Sequence, residues 1–273
     1  MRVVSWNLWW RHGPWQQRRP AIAAVLSEIG PDVCGLQEVW GGATENLAAE
    51  LADRLGLHWC WASLPTASHR QAEHGQDIQI GNAVLSRWPI LAQAELRLPV
   101  AEGEQPRVAL YARLDAPGGP LPLFTTHLTH RPGASAERVA QVRALAGFVA
   151  EHGTGDAYPP VVTGDFNAEP DSDELRLIGG LSTAPAVPGL VLVDAWRYAD
   201  PGDPGHSWDR RNGHLGERGL LDARIDYLLV GLPHGDRGRV RSAWLAGTAP
   251  VDGVWPSDHF AVVADLTSDG IDR

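Results

Sequence analysis

Residues 160–170 read PVVTGDFNAEP: a short apolar run rich in β-branched residues, ending in Asp165 and Asn167 and followed by a helical pattern near 171–178. The run reads as a buried strand that hands over to a polar loop. The same arrangement recurs along the chain. Asn7 follows VVSW, Gln37 and Glu38 follow VCGL, and His127 follows LFTT. Asp226 interrupts RIDYLLV, and Asp258 and His259 open HFAVVADL. Any one of these residues is ordinary as a turn or cap residue, or as a structural histidine. Six such strand ends in one chain are hard to assign to capping.

Around these points, short apolar runs alternate with a few helical patterns. Strands are expected at 2–8, 32–38, 57–62, 78–85, 90–97, 107–115, 121–128, 160–165, 224–230, 239–245 and 259–266. Helices are expected at 16–29, 43–55, 134–151 and near 171–178. Val139, Val142, Leu145, Ala146 and Val149 share one face of the third helix. Many strands with few helices imply two packed sheets covered by helices. No linker or internal repeat interrupts the pattern, so residues 1–273 are expected to form one domain.

Composition narrows the function. No run of eighteen apolar residues occurs, so no membrane span is expected. The N-terminal MRVVSWNLWW lacks the apolar core of a signal peptide and reads as a first strand. Cys34 and Cys60 lie in apolar runs without a CxxC spacing, which fits buried reduced thiols and a cytoplasmic location. The formal net charge is −10, which opposes non-specific attraction of a polyanion. All 23 basic residues are Arg, a pattern that fits codon bias in a GC-rich genome.

The clustered residue types suit phosphate ester chemistry. Mg²⁺ prefers oxygen ligands and takes one or two carboxylates together with substrate phosphate. Glu38 is the leading ligand candidate, since a carboxylate ending a hydrophobic strand is held rigidly. Asp165 suits orientation or activation of the attacking water. Asn7 and Asn167 can donate to phosphoryl oxygens that gain charge. His127 and His259 can stabilise the phosphate or protonate a leaving group. Asp226 can hold a histidine in one tautomer.

Seven segments then resemble the endonuclease/exonuclease/phosphatase superfamily with its DNase I-like fold. They are SWNL at 5–8, LQEV at 36–39, GNAVLSR at 81–87, TTHL at 125–128, GDFNAEP at 164–170, RIDYLLV at 224–230 and SDHFAV at 257–262. They follow the family order and span nearly the whole chain; GDFN with a late SDH is the most specific pair. The resemblance implies an α/β fold, a four-layer sandwich of two mostly antiparallel sheets flanked by helices, with catalytic loops along one edge. It implies Mg²⁺ or Mn²⁺ as cofactor, with Asn7, Glu38 and Asp258 at or near the metal. Asp165 would activate water, Asn167 would hold phosphoryl oxygens, His127 and His259 would flank the phosphate, and Asp226 would pair with His259.

Two departures bear on the substrate. Abasic-site endonucleases carry an acid two residues after the first Asn, where this chain has Trp9. DNase I-like nucleases pair the histidine of the TTHL-type motif with an acid on the preceding strand, whereas IQIGNAVLSR has none and the nearest acid is Asp77. GNAVLSR with THL is closer to sphingomyelinase-like and small-substrate phosphoesterases. The expectation is therefore a metal-dependent phosphomonoesterase or phosphodiesterase acting on a small molecule or lipid headgroup. The alternatives are a nuclease of single-stranded or damaged nucleic acid and a catalytically silent binding module.

Three polar or aromatic groups keep two readings each. Trp9, Trp10, Trp15 and Trp40 are either a substrate wall or loop packing. Arg210, Arg211, Arg218 and Arg224 are either a second phosphate site or a loop with internal ion pairs. His69, Arg70 and His74 read as a surface loop.

Overall fold

The computed structural model describes residues 1–64, 78–215 and 221–268. The first sheet contains β1 (Arg2–Asn7), β2 (Val33–Gly41), β3 (His58–Leu64), β4 (Gln79–Ser86), β11 (Val240–Ala246) and β12 (Ala261–Leu266). The second contains β5 (Ile90–Leu98), β6 (Arg107–Leu114), β7 (Leu121–His127), β8 (Val161–Asp165), β9 (Leu192–Asp194) and β10 (Asp226–Gly231). The helices are α1 (Trp15–Ile29), α2 (Leu47–Leu55), α3 (Ser135–His152) and α4 (Asp173–Gly179). The strand orders are β11-β12-β1-β2-β4-β3 and β5-β6-β7-β8-β10-β9. Only β1/β2 and β7/β8 pair in parallel; the other neighbours are antiparallel.

The alternation of side chains along each strand makes four layers. Val3, Val33, Val84 and Val262 meet Leu110, Leu123, Val161 and Leu228 between the sheets. The next residues point outward: Val4, Cys34 and Val263 pack with Ile22 and Leu26 of α1 and Leu51 of α2. On the far side, Phe124, Val162 and Leu229 pack with Leu145 and Val149 of α3 and Ile178 of α4. The sheets approach closely at Gly35, where a Cβ would lie 1.8 Å from Thr163 Oγ1, so only glycine fits. Polar ties cross the same gap. Gln37 Nε2 donates to Thr125 Oγ1 at 2.9 Å, and the Gly164 amide donates to Ser5 Oγ at 3.0 Å. These ties fix the site-bearing ends of β1, β2, β7 and β8 relative to one another.

Some boundaries differ from the sequence reading. Helix α2 begins at Leu47 because Asn46 caps it, accepting from the Ala48 amide at 2.8 Å. Strand β9 was not anticipated; three residues are too few for an alternation to register. Strand β2 continues to Gly41 through a bulge. Asp226 does not interrupt its strand but starts β10. Among the described residues, no helix is long and apolar enough to cross a membrane.

Candidate active site

Sheet register brings the strand-end residues abreast. His127 and Asp165 are partners in the parallel β7/β8 pair, and Asp226 stands opposite Asp165 in the antiparallel β8/β10 pair. In the facing sheet Asn7 is the partner of Gln37. The loop before β12 is tied to β1 by Ser257 Oγ, which donates to the Asn7 carbonyl at 2.6 Å. Residues from six separate segments thus reach one edge of the sandwich.

Asp165 is the hub. Its Oδ2 accepts from Asn7 Nδ2 at 3.0 Å, lies 3.3 Å from His127 Nε2 and 3.8 Å from His259 Nε2. Its Oδ1 accepts from the Asn167 amide at 2.9 Å, and Asn167 itself takes a left-handed backbone (φ 48°). His259 Nδ1 sits 2.8 Å from Asp226 Oδ2, which directs Nε2 toward Asp165. His127 spans two carboxylates, with Nδ1 3.8 Å from Glu38 Oε1. The Asn7 Oδ1 accepts from the Trp9 amide at 2.9 Å, and Asn167 Nδ2 donates to the Leu128 carbonyl at 3.2 Å.

Glu38 owes its position to the β2 bulge. The β2/β4 register shifts between Leu36 and Val39, and Glu38 takes φ 52°, a strained value for a non-glycine residue. Its carbonyl accepts from the Trp10 amide at 3.0 Å, which holds the turn. The side chain re-aimed by this bulge leaves Oε2 buried with no hydrogen-bond partner among the described residues. Asp258 lies at the other side of His259, 4.0 Å from Nε2.

Burial sets the charges. Desolvation, then the nearby Asp226, pushes the Asp165 carboxyl up from the ordinary range, against the opposing pull of His259. Desolvation and the charge of Glu38 push Asp258 up to about 7, against the pull of His259. Burial alone would lower His259, but Asp226, Asp258 and Asp165 outweigh it and raise it. The cluster therefore favours a protonated His259 beside a basic Asp165.

Two sets of atoms are suited to a cation. Asp165, Asp226 and His259 offer one ligand atom each, all within 4.8 Å of one another. Two of these three are already engaged with each other at 2.8 Å. Glu38, with its orphaned oxygen, and Asp258, with its burial-raised carboxyl, form the alternative all-oxygen pair. Uncompensated carboxylate oxygens are what a hard cation satisfies.

The cluster lines an open cleft of about 830 Å³. Trp9 and Trp208 line it too, and Trp208 meets the His259 ring edge-on at 4.8 Å. Trp10 and Trp40 are buried instead, and Arg11 lies over both Trp15 and Trp40, so the early tryptophans divide between wall and packing. Arg107 and His130, 3.1 Å apart, also line the cleft. Sequence reading passed over them; the available signal was an Arg at the first position of a largely apolar strand. The loop arginines are ion-paired: Arg210 with Asp222, Arg211 with Asp209 and Arg224 with Asp194. None of these three lines the cleft. Arg218, His69, Arg70, His74 and Asp77 lie outside the described residues. Cys34 and Cys60 are free and buried, and burial pushes both thiols up.

Two six-stranded sheets between helical layers, with a carboxylate–imidazole cluster at one edge, define a DNase I-like α/β sandwich. The chain belongs to the Endonuclease/Exonuclease/phosphatase family, whose model matches residues 4–259. Human tyrosyl-DNA phosphodiesterase 2 is 27% identical over 257 residues, which is 92% of this chain and 63% of that protein. The chain thus spans less than two thirds of that relative. The human Nocturnin catalytic domain with bound sulfate superposes with a TM-score of 0.73 at 22% identity, covering 98% of this chain and 94% of that one. A mannosyl-6-phosphatase from Bacteroides thetaiotaomicron superposes with a TM-score of 0.71 at 20% identity, covering 98% of this chain and all of its own (100%). These two structures share the fold.

Proposed function

We propose that the protein is a divalent-metal-dependent phosphoester hydrolase acting on a small-molecule or lipid-headgroup ester. The carrying observation is Asp165, buried at the cleft and held by Asn7 and the Asn167 amide with His127 and His259 at hand. Asp165 takes a proton from water as the water oxygen bonds to phosphorus and the ester P–O bond breaks, the leaving oxygen keeping the bond pair and taking a proton from solvent to depart as the alcohol. The raised carboxyl makes it a better base than an ordinary Asp. Protonated His259, oriented by Asp226, donates from Nε2 to a phosphoryl oxygen as charge builds there. His127 borders the phosphate on the Glu38 side, and Asn167 supplies a neutral donor. Glu38 and Asp258 would hold Mg²⁺ or Mn²⁺, with Asn7 beside them, and the bound ion would neutralise phosphoryl charge as a Lewis acid.

The small-substrate reading rests on charge. The net charge is −10, and Glu38, Asp165, Glu169, Asp173 and Asp258 line the cleft. Of its two arginines, Arg138 is spent on Glu174 at 2.9 Å. A family relative named for phosphodiesterase action on tyrosyl-DNA keeps nucleic acid as the second reading.

One panel tests both. With Mg²⁺ or Mn²⁺, bis(4-nitrophenyl) phosphate, 4-nitrophenyl phosphate, phosphatidyl esters and supercoiled plasmid are compared at low salt, where binding to DNA is strongest. Turnover of a small or lipid ester is expected to exceed nicking, to vanish in excess chelator and to return with metal. Glu38→Gln, which keeps shape and removes charge, is expected to weaken metal binding strongly, so that more metal is needed for activity. Full activity in chelator would overturn the metal assignment. Rapid nicking abolished by His259→Ala would promote the nuclease.

A further inference from the structure

Arg18 is an arginine that the chemistry above does not use. It lies on α1, is 1% exposed, and has no carboxylate ion pair among the described residues. All five of its N–H donors go to backbone carbonyls. Nε donates to His12 at 3.2 Å. One terminal nitrogen donates to Leu8 at 2.8 Å and Pro256 at 2.9 Å, and the other to Trp9 and Trp10, both at 2.8 Å.

These carbonyls belong to the two loops that carry the site. Leu8 follows Asn7, Trp9 forms part of the cleft wall, and Pro256 precedes Asp258 by two residues. Trp9 and Trp10 both take positive φ, 56° and 35°, a conformation that non-glycine residues adopt only when something holds it. The guanidinium also lies 4.9 Å from the Trp9 ring. Burying an arginine is costly, and burial does lower it to about 10, while Asp258 and Glu38 favour its charged form. A residue buried at such cost, with a planar fork of donors saturated by two site loops, one of them strained, is placed to set their spacing.

We propose that Arg18 is a positioning residue: its guanidinium clasps loop 8–12 to loop 256–258 and so holds Asn7, Trp9 and Asp258 in register with Asp165. The proposal rests on the hydrolase reading of the site. Lysine keeps the charge but has three donors on a single nitrogen, so it cannot bridge these five carbonyls.

The test uses the whole chain with Arg18→Lys and Arg18→Met, measuring circular dichroism, steady-state kinetics with Mn²⁺ on bis(4-nitrophenyl) phosphate, and amide hydrogen exchange. Arg18→Lys is expected to fold and to lose about 10–100-fold in kcat, the range for partners that orient a reacting group, with KM moving less. Exchange is expected to rise at residues 8–12 and 257–259 and to stay unchanged in β6 and β7. Wild-type kcat in either folded variant, or exchange that rises evenly along the chain, would overturn the clasp. Failure of both variants to fold would also overturn it, because the residue would then serve stability alone. If the wild-type protein hydrolyses none of the panel esters, the hydrolase reading falls, and the exchange pattern alone decides the clasp.

Discussion

Asp165→Asn is expected to lower turnover by about 10²–10⁴-fold, the usual contribution of a positioned general base. Asn matches the carboxylate in shape, keeps an oxygen for the Asn167 amide, turns an N–H toward the Asn7 side chain in place of the second oxygen, and cannot take a proton. The fold is expected to survive. An acid whose folded pKa lies above its unfolded value stabilises the protein at low pH and loses that contribution as pH rises through the folded value. Ionised Asp165 is in that position, so at neutral pH a neutral Asn removes a cost. The lost acceptor for Asn7 offsets this gain, and the unfolding temperature is expected to stay near the wild-type value. Wild-type turnover in a folded Asp165→Asn protein would remove Asp165 from water activation.

His259→Asn is the second large expected effect, again about 10²–10⁴-fold in turnover. The Asn amide can occupy the place of Nδ1 and donate to Asp226, while nothing replaces Nε2 beside Asp165. His259→Ala removes both nitrogens and leaves the buried Asp226 carboxylate without its partner, at a cost of about 3–5 kcal/mol. Thermal melts should therefore separate the two variants while kinetics should not. Asp226→Asn acts only through orientation and is expected to cost less, about 10–100-fold. An Asp226→Asn loss larger than that of His259→Asn would give Asp226 a direct role that this geometry does not explain.

Strand ends were legible in the sequence because hydrophobic runs that stop at Asn7, Glu38, His127, Asp165 or His259 show where core gives way to loop. Motif order supplied the layered fold. Contacts set by register across distant strands were not legible from the runs themselves. Asn7 meets Asp165 across 158 residues through the packing of the two sheets, in which Gly35 lies against Thr163. The bulge that turns Glu38 has no marker in LQEV, since it depends on the β4 register and on the Trp10 amide. Arg18 stands among Gln16, Gln17 and Arg19 on a helix and reads like a solvated residue; only the fold buries it. The arginines of 205–224 allowed either a phosphate patch or a loop with internal ion pairs, and the acid partners at 194, 209 and 222 favour the second for the described ones.

Turnover of bis(4-nitrophenyl) phosphate by the wild-type protein, in water enriched in the heavy oxygen isotope and with Mn²⁺ either present or chelated, tests metal-dependent water attack at phosphorus most directly. The predicted result is metal-dependent release of 4-nitrophenol, with the heavy oxygen in the phosphate product and none in the phenol. Label in the phenol, or equal turnover in chelator, would contradict it.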